Sequence, residues 1–92
     1  MDIMKDITVR TVMAILIDNR EKSATKVQEL LTEYGCYIKT RLGLHEGVPQ
    51  YCSNSGLIIL ELVDNEKKHE ELMEKLNQIP GVKSDLMRLK FD

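Results

Sequence analysis

Two runs of this chain, ITVRTVMAILI (residues 7–17) and GLIILELV (residues 56–63), are apolar on both alternating faces once Arg10 is passed in the first and apart from Glu61 in the second. A strand with both faces apolar belongs inside a sheet that is covered on each side. Each run is followed by a segment of helical period. After the first comes DNREKSATKVQELLTEYG (residues 18–35), which spaces Ala24, Val27, Leu30, Leu31 and Tyr34 along one helical stripe, with Asp18 or Asn19 as N-cap and Gly35 as stop. After the second comes NEKKHEELMEKLNQIPG (residues 65–81), which places His69, Leu72, Met73, Leu76 and Ile79 on one stripe and ends at Pro80-Gly81. Two further runs read as edge strands. CYIKTRLGL (residues 36–44) alternates, with Ile38, Leu42 and Leu44 pointing one way and Tyr37, Lys39 and Arg41 the other. VKSDLMRLKF (residues 82–91) intersperses Lys83, Asp85, Arg88 and Lys90, charges that keep an edge from pairing with a neighbouring chain.

The order β-α-β-β-α-β has one economical solution: an α+β, ferredoxin-like sandwich. Two right-handed crossovers put both helices on one face of a four-stranded antiparallel sheet, with strands one and three in the middle. The helices then cover one face only, while Val12, Ala14 and Leu16, and one face of residues 57–63, leave apolar side chains on the other. A large exposed apolar patch is unusual on a monomer, and a symmetric pair buries identical patches. A homo-oligomer is therefore expected, a dimer or a dimer of dimers.

The chain has 92 residues, the size of a single domain, with its core expected over about residues 7–91. A net charge of -2 supplies no basic footprint, so no direct nucleic-acid binding is expected. The longest apolar run, residues 12–17, is far short of the roughly 20 residues that span a bilayer, and Lys5 is followed by no signal-peptide core. The expectation is a cytoplasmic protein without membrane association. In such a reducing compartment Cys36 and Cys52 are expected to be free thiols.

Four segments, NREKSATKVQELLTEYG, YIKTRLGL, SGLIILEL and LNQIPGV, resemble the small proteins grouped as regulators of the iron-only hydrogenase system, and the resemblance runs from about residue 8 to 90. Those proteins look like stand-alone ACT-like domains, similar to the ligand-sensing domain of nickel-responsive repressors. The resemblance implies a regulatory or sensor role within an oligomer and brings no established catalytic residues. The chain departs from it in a longer connection between strands two and three, residues 45–55.

That connection holds His45 and Cys52, residue types that bind zinc, iron or nickel. Six intervening residues can fold back to bring them together, whereas Cys36 lies about 30 Å along an extended strand from His45. Two ligands make a weak site, and a tetrahedral ion needs two more, from Glu46 or from a symmetry-related copy. Without a CxxC or HExxH spacing, ordinary loop residues are the favoured reading of this pair.

Asn19, Arg20 and Ser23 fall where strand one feeds the first helix, and backbone N–H groups there can hold an anion. ACT-like domains commonly place effector sites in this region at a subunit interface; the residues alone favour helix capping with a solvated Arg20. Arg41 can pair with a ligand carboxylate or with Glu61 on the neighbouring strand, and Gly43 can permit a bulge or close approach. The cross-strand pair is the simpler reading. Tyr34, Tyr37, Tyr51 and Phe91 form no stacking platform and read as core or interface filling. His69 reads as a partly covered helix residue, and Lys67, Lys68, Glu70 and Glu71 as a solvated face.

No phosphate-binding glycine loop, nucleophile elbow or dense carboxylate-histidine cluster is present, so no enzymatic role is expected. The residues and the resemblance together point to an oligomeric ACT-like regulator that binds a small effector between subunits. The alternatives are a metal-binding oligomer using the His45/Cys52 loop and a purely structural interaction module.

Overall fold

The computed structural model describes residues 9–18, 21–44 and 55–91. Along the chain run β1 (Arg10–Asp18), α1 (Glu21–Glu33), a 3-10 turn (Gly35–Tyr37), β2 (Ile38–Leu44), β3 (Ser55–Leu62), α2 (Glu66–Asn77) and β4 (Val82–Leu89). The strands form one antiparallel sheet in the order β2-β3-β1-β4. This is the ferredoxin-like arrangement, with the two doubly apolar runs as its central strands.

Register explains the core. Met13 pairs with Leu60 and Leu86, and Ile15 with Ile58 and Ser84, so every second residue of β1 joins a single surface under the helices. Val27, Leu31 and Tyr34 from α1, and Leu72, Leu76 and Ile79 from the α2 segment, pack onto it, and Met13, Ile15, Leu60 and Leu76 are fully buried. Asn65 caps α2, its carboxamide oxygen accepting from the amides of Lys67 at 3.0 Å and Lys68 at 3.3 Å.

Three local expectations need correction. Asp18 is the last residue of β1, and α1 begins only at Glu21; of the two expected caps Asn19 lies outside the described residues. Ala24 is exposed, and Ser23 takes the buried place one residue earlier, because its hydroxyl has an acceptor in the Pro80 carbonyl at 2.8 Å. In β2 the alternation breaks. Ile38 pairs with Leu62 and Thr40 with Glu61, a register shift at Lys39 that returns Ile38 to the core while Leu42 pairs with Ile59 on the opposite face.

Candidate functional site

The face of the sheet away from the helices is built by the other register set. Across it run Val12, Ala14 and Leu16 from β1, Leu57, Ile59 and Glu61 from β3, Leu42 from β2, and Lys83, Asp85, Met87 and Leu89 from β4. No element among the described residues covers it. Leu16 is 48% exposed, Leu42 53%, Met87 58% and Leu89 52%, values far outside what large aliphatic side chains adopt in a covered layer. The result is one continuous apolar surface, as the sequence predicts for its central strands.

Its charges are placed at the margins. Arg10 holds Glu61 in a two-point ion pair, Nε to Oε2 at 2.7 Å and Nη2 to Oε1 at 2.8 Å. Those hydrogen bonds, against the cost of desolvating the carboxylate, hold the Glu61 carboxyl below its ordinary value and raise the Arg10 guanidinium. Glu61 was expected to meet Arg41. The bulge at Lys39 prevents this, turning Arg41 toward α1, where its Nη2 donates to the Gln28 side-chain oxygen.

The β1–α1 junction is held from below. Ser23 donates to the Pro80 carbonyl, and the Asp18 amide donates to the Gly81 carbonyl at 2.8 Å. Gly81 has φ +82°, and the Asp18 carboxylate occupies the space in which a Cβ at position 81 would stand. Asn19 and Arg20 lie outside the described residues, so of the expected effector group the structure places Ser23, Arg41 and Gly43. Ser23 and Arg41 are not together: Gln28, which Arg41 reaches, is five residues up α1 from Ser23, about 7.5 Å along the axis. Gly43 is not the bulge residue, and a Cβ there would meet nothing within 4 Å.

His45 and Cys52, the expected metal ligands, lie outside the described residues. Among the described residues no group of three or more His, Cys, Asp or Glu side chains is arranged to hold a metal ion, and Cys36 is an exposed free thiol. His69 is more buried than expected, at 2% exposure. Its Nε2 faces the Val63 carbonyl at 2.7 Å and its Nδ1 faces Arg88 Nη1 at 3.3 Å. A guanidinium only donates, so Nδ1 accepts and Nε2 carries the proton. Arg88 also donates to the buried Thr11 hydroxyl at 2.8 Å and lies 3.6 Å from Glu70. Reasoning from sequence missed this tie between α2, β1 and β4; its signal was Arg88, which occupies the inward phase of β4 and needs a polar partner beneath the helices.

Tyr34 closes the opposite side of the helical layer. Its hydroxyl donates to Glu71 at 2.5 Å, and Lys75 Nζ sits 5.1 Å from the ring centroid. Burial first, then the hydrogen bond to Glu71, push the Tyr34 hydroxyl above its ordinary value. The open groove along α2 is lined by Lys67, Glu70, Glu71, Glu74, Lys75 and Gln78, charges of both signs with no apolar residue among them, unlike the mostly apolar clefts that enclose small molecules.

Comparison with known proteins decides the family. The family model described as "TM1266-like: Iron-only hydrogenase system regulator, putative" matches residues 10–85. The chain belongs to this family. It is similar to the uncharacterized protein TM1266 from Thermotoga maritima, with 31% identity, a TM-score of 0.77, and coverage of 88% of this chain and 96% of that one. The ACT domain of GTP pyrophosphokinase from Chlorobium tepidum superposes with a TM-score of 0.63 at 18% identity, covering 87% of this chain and 96% of that one. The ligand-free regulatory subunit of aspartate kinase from Thermus thermophilus gives a TM-score of 0.58 at 20% identity, covering 89% of this chain and 52% of that one. At these identities the last two establish the ACT-like fold. No curated protein matches the chain. Among the described residues no helix is long and apolar enough to cross a membrane.

Proposed function

We propose that this member of the regulator family is a non-catalytic ACT-like domain that self-associates through its open sheet face and takes a small effector at the subunit interface. The observation that carries the reading is the uncovered row of half-exposed Leu16, Leu42, Met87 and Leu89 around Ala14 and Ile59. A second copy supplies the missing cover, and effector occupancy is passed on by repacking of that contact. The effector is assigned to the β1–α1 junction, where the amides at the start of α1 can meet an anionic group and the sequence supplies a cation in Arg20. Ser23 serves there through its bond to Pro80, as a positioning residue. Arg41 and Gly43, on β2, lie outside this subsite.

The metal-binding alternative rests on His45 and Cys52 alone, and nothing among the described residues favours it. The test is sedimentation equilibrium of the untagged chain, followed by a thermal-shift screen of amino acids, nucleotides and divalent zinc, iron and nickel. A dimer stabilised by an anionic amino acid or nucleotide, with the shift lost in Arg20→Ala, is the expected result. A monomer, or a dimer that responds to none of them, overturns it; a response to metal alone that disappears in the His45→Ala, Cys52→Ala variant transfers the site to the long connection.

A further inference from the structure

The charges on the open face select one way of laying two copies together. Three rows cross the sheet: Thr40, Glu61, Val12 and Met87; then Leu42, Ile59, Ala14 and Asp85; then Leu44, Leu57, Leu16 and Lys83. Two copies that share this face are related by a two-fold axis lying in the plane between them, and in the aligned class of sheet packing, the class assigned to this pair, the strands stay within about 30° of each other. The axis therefore runs either along the strands or across them.

An axis along the strands, centred on the sheet, lays β4 over the partner's β2 and sets Asp85 against the partner's Leu42, a charge buried on an apolar side chain. An axis across the strands lays each strand over itself. Placed on a row, it brings Glu61, Asp85 or Lys83 against its own copy, and facing like charges oppose association. Placed between the Asp85 and Met87 rows, it sets Glu61 on the partner's Ile59. Between the Asp85 and Lys83 rows no charge of these three rows faces its own copy or an apolar side chain; Asp18, at the end of β1, comes over the partner's Val12 with its carboxylate already packed against Gly81. Lys83 meets the partner's Asp85 and Asp85 meets the partner's Lys83, an alternating ring of four charges on one rim, while Ile59 lies against the partner's Leu57 and Leu16 against the small Ala14 of the partner.

We propose that the chain dimerises face to face about an axis crossing the strands between Lys83 and Asp85, with those two residues as the reciprocal pair that sets the register. The proposal rests on the reading of this face as the self-association surface.

Lys83 and Asp85 are exposed and Leu16 is half-exposed, so substitutions at these positions spare the core. The experiment is sedimentation equilibrium on the full chain carrying Asp85→Lys, Lys83→Glu, both together, or Leu16→Asp, with far-UV circular dichroism to confirm folding. Each single reversal creates four like charges and weakens the dimer by on the order of tenfold or more. The double reversal inverts the ring and restores association, and a one-to-one mixture of the two single variants forms a heterodimer. Leu16→Asp dissociates the dimer. A wild-type dimer that Leu16→Asp dissociates but neither reversal affects overturns the register and leaves the face as the contact. A wild-type monomer, or a dimer indifferent to Leu16→Asp, overturns both.

Discussion

Gly81→Ala perturbs a joint that ties the start of β4 to the β1–α1 junction. The residue sits at φ +82°, in the left-handed region, where a side chain costs about 1–2 kcal/mol. The new methyl also lands on the Asp18 carboxylate, which is packed against the glycine and must be displaced. Forcing such a displacement costs about 1–3 kcal/mol, so the substitution is expected to destabilise the fold by about 2–5 kcal/mol in all. Urea unfolding followed by circular dichroism, at one fixed protein concentration, reads this as a lower midpoint with an unchanged slope.

The two contributions separate in an Asp18→Ala background. Removing the carboxylate leaves only the backbone cost, so Gly81→Ala should there cost about 1–2 kcal/mol, a coupling of about 1–3 kcal/mol between the sites. Equal costs in the two backgrounds would show that Asp18 does not fill the glycine's missing side chain, and a cost below about 0.5 kcal/mol in the wild type would refute the left-handed strain as well.

Three further outcomes are expected. His69→Leu leaves the Val63 carbonyl without its donor and takes from Arg88 one of its two acceptors inside the helical layer, the Thr11 hydroxyl remaining, and should cost about 1–3 kcal/mol in the same unfolding assay; an unchanged midpoint would rule out the bridge. The Glu61 carboxyl, seen by carbon-detected NMR, should titrate below its ordinary 4.5 and return toward it in Arg10→Ala. Because the folded value is depressed, the stability Glu61 adds is present above the unfolded value and lost as pH falls through the folded one. The Tyr34 hydroxyl, followed by the ultraviolet absorbance of tyrosinate, should ionise above the ordinary 10.0. Its folded value is raised, so the associated stability is intact below about pH 10 and drains away as pH rises through the folded value, a loss absent in Tyr34→Phe.

The architecture was legible because its largest energetic demand is written in the simplest code. Residues 12–17 and 57–60 are apolar at both phases, and central strands are the ones that satisfy that pattern. The open face could be read for the same reason, since it is the second phase of those strands. What escaped was set by partners distant in sequence. Ser23 rather than Ala24 is buried because Pro80, 57 residues away, offers a carbonyl. His69 is buried because Val63 and Arg88 satisfy both ring nitrogens, and helical period cannot reveal whether a buried imidazole has such partners. The expected site residues Asn19, Arg20, His45 and Cys52 fall outside the described residues.

The bulge at Lys39 shows how one unpaired residue redistributes function. Strict alternation from Ile38 would keep Ile38, Leu42 and Leu44 together, giving β2 one apolar side and turning Arg41 away from it. A shift of one residue exchanges the two phases of everything that follows. Ile38 stays with Leu62 in the core; Leu42 crosses to join Ile59 on the open face; Arg41 crosses to the helices and Gln28. Glu61 consequently loses the arginine that the pairing of neighbouring strands suggested and is taken by Arg10 from the other neighbouring strand. The open face thereby gains an apolar side chain at its β2 edge and keeps its only β3 charge internally neutralised. On that face Lys83 and Asp85 of β4 have no ion-pair partner among the salt bridges of the described residues, the condition under which a second copy can be selected by charge as well as by apolar contact.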